Sequence, residues 1–302
     1  MMVETKPRFP ALLRPVVEQV SLARRTTWRV GGPARWLVCP SSVQEVSHLV
    51  RNLAGEVAWL ILGGGSNVLI DDGGFFGVVV DLTSGMDQIR LTDACTIEAE
   101  AGVATRALAH FARRQGLTGA EFLAGIPGSV GGALRMNAGA YGGDMRQILL
   151  DARVMDPTGE IHDRTPQELE MSYRHTRLPA DWMFLSGRFR LRSGDPETIR
   201  RSMQDFNRRR VASQPLQHPS AGSVFCNPPG GPAAWQLIAD AGLRGVWQGG
   251  AQISEKHCNF ILNRGGATSR DLLILFDLVR EKVFKNSHIE LKLEVRIVSP
   301  NG

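Results

Sequence analysis

The sequence predicts an α+β protein gathered into two or three packed lobes, and three observations lead there. Up to about residue 116, short apolar strands alternate with amphipathic helices. Two glycine-rich loops, at 61–70 and 124–143, punctuate the chain, and near residue 200 its character changes to an αβ segment with a Pro/Gly-rich linker. In chain order, ARWLVCP (34–40) is a strand, and Ser41 and Ser42 offer an N-cap to VQEVSHLVRNL, whose Val43, Val46, Leu49, Val50 and Leu53 share one face. AWLIL (58–62) and GVVVDL (77–82) read as buried strands and CTIEAEAG (95–102) as a half-buried one, while ATRALAHFARRQG (104–116) is a helix stopped at Gly116. The stretch from Gly125 to Gly143 is too rich in glycine for either regular structure. Beyond it, DARVMDPTGEIHD (151–163) is a hairpin around Pro157, Thr158 and Gly159, and MFLSGRFRL (183–191) is a further strand. A basic helix with Pro196 near its first turn leads to Gln214-Pro215 and the linker, then to helices near 232–241 and 270–285 and an alternating strand, IELKLEVRIV, at 289–298. No solenoid-type repeat is present.

Composition narrows the function classes. A chain of 302 residues with 43% apolar and 22% charged content has ample material for a core, which excludes disorder and collagen-like repeats. No apolar run reaches about 18 residues and no secretory signal opens the chain, so a protein without membrane insertion is expected. Cys39, Cys95, Cys226 and Cys258 are far apart and form no CxxC pair, which argues against a disulfide framework and a structural zinc site; no metal is expected, and a reducing cytoplasm fits best. The net charge of +5 rests on 30 Arg against 5 Lys. Arginine forks suit phosphate and carboxylate, so an anionic small molecule is the first partner to consider. The basic stretch Arg200-Arg201 and Arg208-Arg209-Arg210 has little aromatic interleaving, which speaks against nucleic acid.

The glycine loops carry the chemistry. In ILGGGSNVLI (61–70) a strand runs into Gly63, Gly64, Gly65, Ser66 and Asn67, where residues without a Cβ let consecutive N–H groups approach a diphosphate. It is neither a Rossmann fingerprint, whose third glycine would fall at Val68, nor a Walker A loop, which needs Gly-Lys-Ser/Thr. The second loop, AGIPGSVGGALRMNAGAYGG (124–143), mixes glycines with Pro127, Ile126, Val130, Leu134 and Met136, which a merely flexible loop would not carry. Two such loops point to a large phosphate-containing cofactor held mostly by backbone.

TTWRVGGPARW (26–36), LGGGSNVLI (62–70), the 124–143 loop, SYRHTRL (172–178), PSAGSVFCNP (219–228), SEKHCNFILN (254–263) and LKLEVRIV (291–298) resemble, in order and over residues 21 to 300, the UDP-N-acetylenolpyruvoylglucosamine reductase family of bacterial cell-wall synthesis. The resemblance implies a PCMH-type (vanillyl-alcohol-oxidase-like) FAD-binding fold of two lobes plus a C-terminal α+β substrate domain. The expected divisions are an N-terminal segment (1–20), an FAD-binding domain (21–195, with lobes at about 21–82 and 83–195) and a substrate-binding domain (196–302). It implies non-covalent FAD, NADPH as hydride donor, a nucleotide-sugar substrate and a monomer. NADPH reduces the flavin and leaves, then the enolpyruvyl group of UDP-N-acetylglucosamine enolpyruvate enters the same pocket and is reduced to UDP-N-acetylmuramate. Cofactor-binding positions carried over are Gly31, Gly63, Gly64, Gly65, Ser66, Asn67, Gly125, Ile126, Pro127, Gly128, Ser129, Gly132, Asn137, Gly139 and Ala140.

Three residues match the family's catalytic positions. Arg174 matches the arginine on the enolpyruvyl carboxylate, where a fixed cation stabilises negative charge as hydride reaches the β-carbon. Ser223 matches the serine that protonates the adjacent carbon; its hydroxyl is a poor acid in water but can serve a strongly basic enol intermediate held in contact. Glu294 matches the glutamate opposite that serine, able when protonated to donate to the substrate carboxylate or a neighbouring water. Tyr173, Asn227, Lys256 and His257 match substrate-side positions. The chain departs from the family in three ways. The interval from Arg174 to Ser223 is short, without the inserted loop whose tyrosine closes over the UDP, as in the compact subgroup. Cys226 stands where lysine is common, and Ser213 where Lys or Thr precedes Gln-Pro. Two other readings stand beside this one: a flavin oxidase of the same fold acting on a sugar or lactone, and a non-catalytic nucleotide-sugar or RNA binder.

Overall fold

The computed structural model describes residues 7–53 and 55–301, and its apolar side chains gather into two separate cores. One unit contains the chain up to Glu18, Trp36–Gly64 and Gly77–Asn207; the other contains Gln19–Arg35, Gly65–Phe76 and the chain from Arg208 onward. The division expected at 195/196 therefore falls between Asn207 and Arg208, and segments 19–35 and 65–76 group with the C-terminal part. The reason lies in the second core, where Trp28, Val30 and Leu69 are buried with Val224, Phe225 and Phe276. Part of the expected segment 1–20 lies outside the described residues.

In the first unit helix α1 (Val43–Leu53) starts where the two serines imply. Ser42 Oγ accepts from Glu45 N–H at 3.2 Å and the Glu45 carboxylate accepts from Ser41 N–H at 2.8 Å, a reciprocal cap contributing about 1 kcal/mol. Its Val46, Leu49, Val50 and Leu53 are fully buried, each side chain stabilising the fold by about 1.5–3 kcal/mol. Trp59–Leu62 runs parallel to Phe75–Asp81, with Trp59 opposite Val78. A five-stranded sheet orders Ile161–Arg164, Leu149–Met155, Met183–Arg190, Thr96–Glu100 and Ile89–Asp93, with every neighbouring pair antiparallel. Helix α2 (Thr105–Arg114) ends as expected, Gly116 taking φ +66° just past its C-cap.

The hairpin at 151–163 is held by Asp156, whose carboxylate accepts from Thr158 N–H and Oγ1, Glu160 N–H and the His162 ring. Burial would raise its pKa, but the hydrogen bonds from His162, Thr158 and Glu160 outweigh it and hold the carboxyl well below the usual range.

The expectation that 125–143 lacks regular structure is corrected. Helix α3 (Val130–Arg135) forms there, capped by Ser129, because Val130, Ala133 and Leu134 make a buried face that outweighs the low helix propensity of Gly131 and Gly132. A short turn of helix, α4 (Met145–Ile148), follows Asp144, and α5 (Pro196–Ser213) is the predicted basic helix.

In the second unit α6 (Ala234–Asp240) and α7 (Ser269–Ser287) lie close to the predicted spans. Thr268 and Asp271 exchange hydrogen bonds at the start of α7, and His288 closes it in the left-handed region at φ +57°. The long strand expected at 289–298 is a second correction: only Arg296–Val298 pairs regularly, parallel to Val68–Ile70, while Leu293 makes a single bridge to Phe225. Sequence alternation could not show where the partner strands end.

Candidate active site

Within the first unit the two glycine loops meet. An added Cβ on Gly64 would stand 2.6 Å from the Gly128 Cα, and one on Gly63 would stand 2.4 Å from Ser129 Oγ. Glycine is required here for loop-on-loop packing. Gly128 takes φ +117°, a conformation that side-chain-bearing residues rarely adopt. Buried Thr105 fixes this loop from beneath, its Oγ1 donating to Ile126 O at 2.5 Å and its N–H to Gly128 O at 3.1 Å. The N–H groups of Val130 and Gly131 donate to the Val103 and Ala101 carbonyls and that of Ile126 to Leu123 O, while Pro127 carries none. Thr105 was missed in the sequence, where it reads as an ordinary first-turn residue of α2.

The rest of the long loop carries the Arg174 turn. Asn137, 1% exposed, donates from Nδ2 to Ser172 O at 2.8 Å and accepts Arg146 N–H at 2.9 Å. Its side chain is thus engaged within the protein. Ser172 and His175 exchange main-chain hydrogen bonds, placing Tyr173 and Arg174 at the tip of a two-residue turn with Arg174 at φ +55°. Arg174 Nη2 donates to Gly139 O at 2.9 Å, and its guanidinium lies 5.1 Å from the Tyr173 ring centre. The left-handed backbone aims this arginine, and the Gly139 carbonyl holds it. Arg135 braces the following segment through Leu178, Pro179 and Ala180 carbonyls. Tyr141 stacks on Phe206 with ring centres 4.6 Å apart.

In the second unit Gly31 takes φ +128° against Ile70, and Gly65 takes φ +60° with its carbonyl accepting Thr27 N–H. Ser223 and Glu294 lie on adjoining segments: Ser223 bridges Phe260, Phe225 bridges Leu293, and Glu294 N–H donates to Val224 O at 2.8 Å. Both residues are half-buried. Asn67 secures Glu294 from the other side, Nδ2 donating to Glu294 O at 2.9 Å while Asn67 O accepts Arg296 N–H at 3.0 Å. The Asn67 side chain is therefore a strand clamp, a role that its place in a glycine loop did not reveal.

Of the substrate-side candidates, Asn227, Lys256 and His257 lie in the same unit, while Tyr173 belongs to the first. Asn227 Oδ1 accepts Ala234 N–H at the start of α6, and Lys256 Nζ donates to Val211 O. His257 packs edge-on to Phe260 at 4.8 Å and near Trp235, and its Nδ1 is buried without a hydrogen-bond partner. Burial pushes its pKa below the ordinary histidine value, favouring the neutral ring.

A cradle in which Cβ atoms have no room, followed by a short capped helix, fits a dinucleotide cofactor bound through backbone N–H groups. An FAD-binding domain model matches residues 34–165, and a model described as "UDP-N-acetylenolpyruvoylglucosamine reductase, C-terminal domain" matches residues 214–298. Fold and site together define an FAD-dependent oxidoreductase of the PCMH-type fold. UDP-N-acetylenolpyruvoylglucosamine reductase of Magnetococcus marinus is 52% identical over 291 residues, spanning 95% of this chain and 93% of that one. The enzyme of the same name from Heliobacterium modesticaldum is 43% identical, spanning 95% and 91%. A crystal structure of UDP-N-acetylenolpyruvylglucosamine reductase from Thermus caldophilus superposes with a TM-score of 0.80 at 36% identity, over 93% of this chain and 98% of that one. The chain belongs to the UDP-N-acetylenolpyruvoylglucosamine reductase family. Among the described residues no helix is long and apolar enough to cross a membrane.

Proposed function

We propose that Arg174, Ser223 and Glu294 carry the reduction of UDP-N-acetylglucosamine enolpyruvate to UDP-N-acetylmuramate, with NADPH as the source of hydride and with the cytoplasm as the place of work. The observation that carries this assignment is the hydrogen bond from Glu294 N–H to Val224 O, which sets the glutamate beside the serine segment. The positions proposed for FAD are Gly31, Gly63–Asn67, Gly125–Ser129, Gly132, Asn137, Gly139 and Ala140, and the cofactor would supply two-electron hydride chemistry that no side chain can.

The protein's own contribution is position and charge. Arg174 binds the enolpyruvyl carboxylate and stabilises the negative charge that grows there as the β-carbon gains hydride. Ser223 then gives its proton to the adjacent carbon and recovers one from water, so one hydride and one proton are added across the double bond. Glu294 donates a hydrogen bond to the same carboxylate or its water. Tyr173, Asn227, Lys256 and His257 hold the nucleotide sugar. The chain is proposed to work as a monomer. The deciding experiment is the visible spectrum of the purified protein: flavin bands that bleach with NADPH and return with the enolpyruvyl sugar are expected. Bleaching without return would leave a flavoprotein acting on another substrate.

A further inference from the structure

Ser223 sits on a segment with no regular strand of its own, since only isolated bridges flank it. Its place is set by neighbours, and the most committed of these is Asn259. This residue is 3% exposed, and its amide pairs with both main-chain polar groups of Phe225: Oδ1 accepts the Phe225 N–H at 2.9 Å and Nδ2 donates to the Phe225 carbonyl at 2.8 Å. Its own carbonyl accepts Val224 N–H at 2.9 Å. A side-chain amide thus does for Phe225 what an adjacent strand residue would do, closing a ladder step that the backbone leaves open. On the opposite edge Val224 O accepts Glu294 N–H at 2.8 Å and Cys226 N–H donates to Lys292 O at 2.9 Å. Phe225 is buried, so a lost amide leaves its N–H and carbonyl without water as a replacement.

We propose that Asn259 is a positioning residue for Ser223: its buried amide, paired with both main-chain groups of Phe225, holds the Ser223–Phe225 segment in register against Glu294. This rests on the assignment of Ser223 as proton donor. The carbon that Ser223 protonates becomes a stereocentre, bearing a hydrogen, a methyl group, a carboxylate and the sugar oxygen. A serine held on one face delivers the proton to one face. If the segment slips, water competes from either side.

The test uses the FAD-loaded protein and separates the half-reactions by stopped-flow absorbance. Asn259→Asp keeps the acceptor for Phe225 N–H and sets a carboxylate oxygen against its carbonyl; Asn259→Ser removes the pairing with less electrostatic disturbance and serves where the aspartate variant does not fold. Flavin bleaching by NADPH is expected within about twofold of the parent, while reoxidation by the enolpyruvyl sugar slows about 10–100-fold, the size of effect expected of a misplacement near 1 Å. The product is expected to contain both epimers at the protonated carbon, read by chiral analysis of the released lactyl ether. Equal slowing of both half-reactions with a single epimer would overturn the proposal and leave Asn259 as a packing residue. Ser223→Ala run alongside separates the two ideas: undiminished reoxidation there would remove the serine assignment itself, whereas slow reoxidation in Ser223→Ala with a normal Asn259 variant would remove the proposal alone.

Discussion

Gly64 faces Gly128 across a gap with no room for a side chain: a Cβ on the first would lie 2.6 Å from the Cα of the second. Two loops that are 64 residues apart in sequence are keyed to each other by the absence of atoms. Replacing Gly64 by Val is expected to push the loops apart, costing about 1–3 kcal/mol of stability and releasing FAD. The checks are the protein-to-flavin absorbance ratio after gel filtration and the melting temperature. Full flavin occupancy in Gly64→Val would take the cofactor away from this loop pair.

Ser223→Ala is expected to leave NADPH-driven bleaching near the parent rate and to slow return of the flavin colour by roughly 10²–10⁴-fold, the usual range for a general acid. Stopped-flow absorbance of each half-reaction measures this. Slowing of both halves by the same factor would make Ser223 a structural residue.

Arg174→Lys keeps the charge and loses the fork, while Glu294→Gln keeps a donor and loses the acid. Each is expected to depress kcat for the sugar more than it raises KM, because both groups answer charge that appears on one carboxylate in the transition state. The double variant is then less impaired than the product of the single losses. Fully multiplicative losses would give the two residues independent roles.

His257 supplies a pH dependence. Its pKa is lowered in the fold by burial, so as pH falls through about 6.5, the ordinary value, the unfolded chain takes up a proton that the folded chain resists. Stability is therefore present above that pH and declines below it. Melting temperatures between pH 5 and 8 are expected to fall more steeply on the acid side for the parent than for His257→Gln. Identical slopes would mean that the ring titrates normally.

Much of this was legible in the sequence for physical reasons that can be named. The α1 helix carried a serine cap and a clean apolar face, and both act within the first turns, so the start at Val43 followed. Gly116 announced the end of α2 because a left-handed residue there suits glycine. Helix α3 was hidden, since Gly131 and Gly132 weaken local propensity and only the buried packing of Val130, Ala133 and Leu134 restores it. The motif residues Ser223 and Glu294 could be named, but the asparagines that register them could not, because an amide clamp is a long-range contact between positions 67 and 294 or 225 and 259. Arg174 gave no sign that it would occupy the left-handed region.

The two cores are threaded rather than strung. The chain passes from one unit to the other after Glu18, Arg35, Gly64, Phe76 and Asn207. Trp28 Nε1 donates to Ile261 O at 2.7 Å, and Asn263 Nδ2 donates to Trp28 O, so the second core holds a residue encoded more than two hundred codons upstream. A gene fragment beginning at Arg208 would carry α7 and the serine segment yet lack Trp28, Val30 and Leu69, three of the side chains buried in their shared core. Evolution by recombination meets the same obstacle: a crossover that exchanges only the last hundred residues between two distant relatives would mate most of a core with a stranger's Trp28, Val30 and Leu69 positions. This part of the protein is inherited as an interleaved whole, and a chimera must exchange residues 19–35 and 65–76 along with the C-terminal stretch to keep that interior matched.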